Sequence, residues 1–512
     1  MMLGLPQSVT LRETEVLDRS SKYLAAFAQT DWNVSKDLVL NLGVRWETDT
    51  AIVDKNNRMN GFDATAINPV SGTPGVVKFM GQDGFRTTPY NTDWNNFGPR
   101  FGLAWKPFGS TKTVVRGGWG VSFAHPFDRG APNSASLGFE QSLSLNSPDN
   151  GITFPVVVAQ GLPNASLSKP ALNDSFGAVR VGQAVTTAVT FFEENRRTGY
   201  SMQYNFNIQR ELFGGMQVEV GYLANLSRKL ASANLNINQI PNEKMGLGTS
   251  QRDRPYPQFN GVTLIAPALG VSDYHAGILR LQKRFSTGLS FNFNYTWSKF
   301  LNNTDEGGAA LGAEGSPYSN YYNRRADWGP SENDIPHRIS FSGVYDLPFG
   351  TGKRWVSKGP AKWVVGDWGL STVTTLQSGA AFTVTTQVDS TNAFSSGGLR
   401  ADVLRNPNLP AGERTLGRWF DTGAFAQPAA FRYGNQGVNI LRGDGLVNVD
   451  LSLLRNFPIG EQRKLQFRAE SFNVSNTPTF GLPGRTFGGP GFGVIGSASP
   501  GRRLQLGLRL VW

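Results

Sequence analysis

The sequence predicts an all-β chain, a transmembrane antiparallel β-barrel with long extracellular loops. Three observations lead there. Apolar and polar residues alternate over stretches of about nine or ten positions, repeatedly, along a chain of 512 residues. The links between these stretches are by turns short and long. No run approaches the roughly 20 apolar residues that a spanning helix needs, and mean hydropathy is only −0.29. Strands escape that limit, because successive side chains point to opposite faces and only one face has to meet lipid.

The most regular stretch is the last, RLQLGLRLVW. Leu504, Leu506, Leu508, Leu510 and Trp512 share one face, while Gln505, Gly507 and Arg509 share the other with Val511. So apolar an edge would template aggregation in water. It becomes sensible where that face meets lipid and the strand closes a barrel.

The same pattern runs through the chain. Residues 23–32 read as a strand of small and aromatic residues, followed by a short polar turn. Leu38, Leu40, Leu42, Val44 and Trp46 then alternate with Asn41, Gly43, Arg45 and Glu47. After a long polar stretch (49–95), RFGLAW and TVVRGGWGVSF form a hairpin with Val115, Trp119, Val121 and Phe123 in phase. A second long segment (124–199) precedes YSMQYNFNIQR and MQVEVGYLA. Loop 225–273 precedes ILRLQKRF and LSFNFNYTW, in which Leu289, Phe291, Phe293, Tyr295 and Trp297 alternate with polar residues. Loop 299–336 leads to HRISFSGVYDLPFG and WGLSTVTTLQSG, and loop 378–446 to NVDLSLLRNF and KLQFRAESFNV. A Gly-rich segment delivers the last strand.

About 13 strands result, with long loops at every second connection, as barrels of the outer membrane are built. With the long loops outside, Trp46, Phe123, Tyr200, Tyr295 and Trp297 fall near the outer interface. Trp32, Trp105, Phe213, Phe285, Phe457 and Trp512 fall near the inner one. Two aromatic girdles are what amphipathic rings form at two membrane–water boundaries.

Composition narrows the function classes. There is no cysteine, which removes disulfides, thiolate metal sites and thiol nucleophiles. The three histidines (His125, His275, His337) are far apart, so neither an enzyme nor a bound cofactor is expected. The net charge of +11 is dispersed, without a Lys/Arg block, and nucleic acid is not an expected partner. The first twenty residues lack a basic region followed by an apolar core, so no signal peptide is expected among them.

Several motifs carry little. Gly491, Gly493 and Gly496 have dinucleotide-fingerprint spacing but lie in a loop, without the strand and helix that fingerprint requires. Arg442-Gly443-Asp444 spells an adhesion tripeptide and reads better as a turn. GTGKR (350–354) lacks the spacing of a phosphate loop. Asp305, Glu306 and Glu314 show no calcium-ligand pattern and read as solvated charge. The polar positions of the strands form the candidate site: Asn41, Arg45, Arg116, Gln203, Asn205, Asn207, Asn292, Asn294, Arg468 and Glu470. They are expected to face the barrel interior, where they line a path or hydrogen-bond a plug and water, because lipid penalises ionised groups near its midplane by about 2–4 kcal/mol.

The ordered set FAQTDWNVSKDLVLNLGVRWE, NFGPRFGLAW, LQKRFSTGLSFNFNYTWSK, PHRISFSGVYDLPFG and LQFRAESFNVSNTPTFG resembles the C-terminal barrel of Oar-like TonB-dependent receptors. The terminal aromatic at Trp512 adds to the likeness. The resemblance runs from about residue 3 to the end and implies about 13–14 strands of a barrel of about 22. It implies residues 1–22 as the remnant of a preceding strand or loop and 23–512 as barrel, with the family's plug domain and signal peptide absent. It also implies outer-membrane lipid, the barrel assembly machinery (reading the strand that ends at Trp512), the TonB energising complex acting through a plug, and an unidentified small ligand. Surface adhesion and a passive pore are the alternatives. One expectation tests the facing assignment directly. Phe293→Arg is expected to lower the yield of barrel folded into lipid vesicles well below that of Asn294→Arg, a difference of about 2–4 kcal/mol, and equal yields would refute the assignment.

Overall fold

The computed structural model describes residues 5–14, 17–124, 135–149, 152–160, 170–304, 318–395, 398–459 and 463–511. One antiparallel sheet of 14 strands dominates it, and thirteen of these follow chain order from edge to edge. They are β1 (Tyr23–Ser35), β2 (Leu38–Asp49), β3 (Phe97–Trp105), β4 (Thr113–Phe123), β5 (Tyr200–Glu211), β6 (Met216–Leu230) and β7 (Gly270–Ser286). They continue as β8 (Leu289–Asn302), β9 (His337–Asp346), β10 (Trp368–Gln377), β11 (Leu446–Ile459), β12 (Arg463–Phe472) and β13 (Arg503–Val511). The fourteenth, Gly329–Pro330, pairs beside the end of β8.

Register keeps the apolar residues on one face. Leu38, Trp105, Val115, Ile208, Val220, Leu279, Tyr295, Ile339, Leu376 and Val447 make one unbroken cross-strand row. A second row runs Leu289, Tyr345, Leu370, Leu453, Ala469 and Leu506. A slip of one residue at any pair would send that strand's apolar set to the opposite face. Among the described residues no pairing joins β1 to β13, so the sheet has two open edges. Leu504 and Leu506 of β13 are each 74% exposed. Trp512 lies outside the described residues. Ser8–Thr14 does not extend the sheet; it pairs with Glu140–Asn146 in the segment between β4 and β5.

At one end of the sheet the links among the described residues are short, except for residues 347–367 between β9 and β10. Between β7 and β8, Thr287 and Gly288 both have positive φ (51° and 79°), the backbone of a two-residue hairpin turn whose twist matches that of its strands. At the other end the strands run beyond the length that crosses a bilayer, about 9–11 residues. β6 has 15 residues and β7 has 17, and their pairing continues through Ala224–His275 to Leu230–Gly270 with one register shift. These ends read as loop in sequence because their alternation breaks down, yet the backbone ladder carries on.

The described parts of the long segments are not loose. They pack into a cap with its own buried clusters. One gathers Phe62, Val77, Phe79, Val189, Phe191, Ile237, Phe259 and Val262, drawn from the segments after β2, β4 and β6. Beside it Met59, Met80, Tyr90, Phe192 and Ile265 form another from the same segments. A third, with Phe382, Val384, Trp419, Phe420, Phe425, Leu441 and Ile495, joins the segments after β10 and β12. Phe259 is fully buried, and its ring lies 6.0 Å from that of Phe62, edge to face. Phe259→Ala is expected to cost the cap about 3–5 kcal/mol. Hydrogen exchange should then accelerate in peptides covering 60–79, 188–192 and 259–264 while β8 stays protected. Equal acceleration in β8 would show that cap and sheet are one cooperative unit.

Candidate binding cap and polar sheet face

All ten polar positions singled out in the strands lie on the sheet face opposite the apolar rows, because each occupies the alternate parity of its strand. Several are tied to neighbours on that face. Asn41 Nδ2 donates to Asp31 Oδ1 at 2.5 Å across β1–β2. Arg45 donates to Glu47 Oε2 (2.8 Å) and to the Tyr23 hydroxyl (2.7 Å). Arg116 donates to Gln209 Oε1 (2.7 Å), and Asn294 Oδ1 accepts from Arg280 (2.9 Å). Arg468 and Glu470 face one another at 3.7 Å. Gln203 and Asn292 are exposed on the same face. Asn205 and Asn207 lie against glycines of the next strands. A Cβ on Gly118 would sit 2.8 Å from Asn205 Nδ2, and one on Gly221 3.2 Å from Asn207 Cβ. The glycines make room for the flat amides.

The aromatic girdles also have a structural counterpart. At the cap end Trp46 stacks on Trp94, centroids 6.3 Å apart, and donates to its carbonyl at 2.8 Å. Phe123 meets Tyr200 at 6.0 Å. At the short-turn end Trp32, Trp105, Phe213 and Phe285 are exposed, and so is Phe108, in the turn after β3. Both described histidines, His275 and His337, sit on the apolar face and accept or donate a hydrogen bond with Tyr222 (2.7 Å) and Tyr295 (2.9 Å). His125, Asp305, Glu306 and Glu314 lie outside the described residues.

Within the cap, buried charge fastens one segment to another. Asp327, after β8, binds Arg400, after β10, at 2.5 Å, and their side chains are 11% and 8% exposed. Arg400 also donates to the carbonyls of Ala326 (3.1 Å) and Gln436 (3.0 Å). Asp334 pairs with Arg442, whose guanidinium also reaches the Asp334 carbonyl at 2.7 Å. Arg442 is the first residue of the adhesion-like tripeptide. Its side chain is turned into the cap, the Trp419 indole donates to its carbonyl (2.9 Å), and Asp444 accepts from the Phe480 amide (3.1 Å). The glycine triplet is likewise structural. Gly491 and Gly493 have φ of 74° and 79° in a turn whose Gly493 carbonyl accepts from the Trp419 amide.

Arg254 is buried with no carboxylate partner among the described residues. It donates to the carbonyls of Asn238 and Asn260, both at 2.6 Å, and lies 4.8 Å from the centre of the Phe394 ring. Burial pushes its pKa down to about 10, which still leaves it charged at neutral pH. At Asp54 burial favours the neutral acid, but bonds from the Arg58 side chain and from the amides of Arg58, Asn56 and Asp18 outweigh it. The carboxyl titrates below its ordinary range. Where the strand tops meet the cap, a recess is lined by Asp49, Tyr90, Asn91, Asp93, Arg196, Arg197 and Lys229. Arg197 binds Asp93 there at 2.8 Å. The pairs between segments and this recess escape sequence reasoning, because the partners lie 73 or more positions apart and no local spacing announces them.

A continuous antiparallel meander with one apolar face, aromatic rings at both ends and long segments at one end defines a membrane-spanning sheet of the outer-membrane kind. The chain belongs to the outer membrane beta barrel domain family, whose model matches residues 1–505. It resides in the outer membrane. No curated protein matches the sequence. Among solved structures it is similar to the outer membrane transporter YddB from Escherichia coli, at 11% identity and a TM-score of 0.45, covering 96% of this chain and 54% of that one. It is also similar to the FrpB iron transporter from Neisseria meningitidis (10%, TM-score 0.42, 97% and 45%). The ferripyoverdine receptor of Pseudomonas aeruginosa is a third (10%, TM-score 0.43, 97% and 39%). The chain thus spans about half the length of these proteins or less.

Removing the carboxylate of Asp327 would leave Arg400 buried and unpaired, which costs about 3–5 kcal/mol. Asp327→Asn is therefore expected to open the cap to limited proteolysis between 378 and 445 while the sheet still resists heat in detergent. Wild-type cleavage rates would show that the pair does not fasten the cap.

Proposed function

We propose that this chain is the barrel and ligand-recognising part of a TonB-dependent receptor of the Oar-like kind. The observation that carries the reading is the cap: segments from six connections fold into a body with buried apolar clusters and cross-segment ion pairs. An ordered surface costs little conformational entropy when it binds a ligand, whereas loose loops would have to be ordered by the ligand itself. A chain that only spanned the membrane would gain nothing from so much ordered structure.

In this reading the polar face lines the interior, and Asn41, Arg45, Arg116, Gln203, Asn205, Asn207, Asn292, Asn294, Arg468 and Glu470 contact water, a plug or a passing ligand. The barrel assembly machinery reads the strand ending at Trp512. A small ligand binds the cap and is taken up by energy from the TonB complex acting through a plug. The amide and guanidinium groups of that face suit a ligand rich in hydrogen-bond acceptors. Adhesion through Arg442-Gly443-Asp444 is disfavoured, because Arg442 is committed to Asp334.

The test is growth-dependent uptake. Cells carrying the protein are grown on mixtures of scarce nutrients, with and without a functional energising complex, and depletion of each solute is followed by mass spectrometry. Receptor function predicts a solute depleted only when both protein and complex are present. Depletion independent of the complex would indicate a passive pore.

A further inference from the structure

At the short-turn end one connection is unlike the others. Residues 347–367, between β9 and β10, carry the sequence LPFGTGKRWVSKGPAKWVVGD, with Lys353, Arg354, Lys358 and Lys362 against a single acid, Asp367. The segment ends in a short helix, Ala361–Val365. Its apolar side chains are turned outward: Trp363 is 74% exposed, Val364 71%, and Trp355 49%. In water such a patch would be a liability.

The segment does not hang free beneath the sheet. Arg455 of β11 lies on the apolar face, in register between Trp368 and Phe467. There it is buried, because the helix folds back over it. Its guanidinium donates to the carbonyls of Trp363 (2.7 Å) and Val364 (3.1 Å) and packs 4.5 Å from the centre of the Phe457 ring. The Trp368 indole adds a bond to the Val364 carbonyl at 2.9 Å. A cation at the C-terminal carbonyls of a helix is favourable in itself. Here it also pulls the helix to the lipid side of the sheet, at the level of the inner aromatic girdle.

We propose that residues 348–367 form an interfacial anchor that binds anionic phospholipid. Trp363, Val364 and Trp355 enter the acyl boundary, and Lys353, Arg354, Lys358 and Lys362 hold headgroup phosphates. Two observations carry it: continuity of this patch with the lipid-facing rows, and charge opposite to that of an anionic headgroup. Arg455 is the positioning residue. Clamped by the carbonyls of Lys362, Trp363 and Val364 and the rings of Trp368 and Phe457, it keeps the helix at the depth where both contacts are made. The anchor is independent of transport and needs only the membrane-spanning sheet.

The absence of cysteine lets single cysteines be placed without background. Val364→Cys, Leu453→Cys (mid-sheet, apolar face) and Leu247→Cys (cap, 95% exposed) are each labelled with nitrobenzoxadiazole, and the full chain is reconstituted. Vesicles of phosphatidylcholine alone, or with phosphatidylglycerol, carry spin labels at headgroup or deep acyl positions. The label at 364 should lose about half its emission to the shallow spin label, more so with phosphatidylglycerol, and should resist aqueous iodide. Lys353→Gln, Lys358→Gln and Lys362→Gln together should abolish the dependence on phosphatidylglycerol, and its persistence would overturn the headgroup assignment. Iodide quenching at 364 equal to that at 247, with 453 still quenched by the deep label, would overturn the anchor alone. Failure of deep quenching at 453 would overturn the strand facing and the anchor with it.

Discussion

In a lipid interior the backbone amides and carbonyls of an extended strand find no partner except a neighbouring strand, and the whole architecture follows from that one constraint. Each of the twelve steps from β1 to β13 answers it with an antiparallel ladder between neighbours in sequence. Antiparallel pairing in chain order needs only short links at one end, and it frees the links at the other end to grow. Register then does the second task, keeping ten strands' worth of apolar side chains in one row from Leu38 to Val447. The two open edges, β1 and β13, are where the constraint is still unmet. In a bilayer each edge requires a further strand beside it, whether that strand is the other edge or comes from elsewhere.

The strands were legible in the sequence because a lipid-facing strand writes its structure into every second residue. All thirteen stretches of alternation correspond to strands, and all ten polar positions fall on one face. Their ends were less legible. Alternation fades beyond Ala224 and before Ile278, yet pairing continues to Leu230 and Gly270, since there the neighbour is protein and water rather than lipid. The cap was hardly legible at all. Phe62, Phe191 and Phe259 lie far apart along the chain and meet only in space. Arg455 shows the same limit from the opposite side: its position breaks the apolar pattern of β11, and only the fold reveals the helix above it that makes the exception tolerable.

Two kinds of order coexist. The sheet has little buried interior among the described residues, and its stability in place depends on lipid around it. The cap has conventional cores of buried phenylalanine and aliphatic side chains, fastened by ion pairs with little exposure. Under the proposed function the work would divide along the same line, with the sheet setting position and passage and the cap setting what is recognised.

The composition of those cores has a kinetic consequence. The cluster around Phe62 takes residues from three separate connections, spanning Phe62 to Val262 in the chain. Contacts so distant close slowly, because loop entropy is lost before any apolar surface is gained. The cluster cannot complete until the strands from β2 to β7 have crossed and delivered all three segments to the same side. The cluster around Phe420 waits longer, for the segment that precedes β13. Consolidation of the cap thus trails the crossing of the strands: the cluster around Phe259 closes before the one that takes in Ile495.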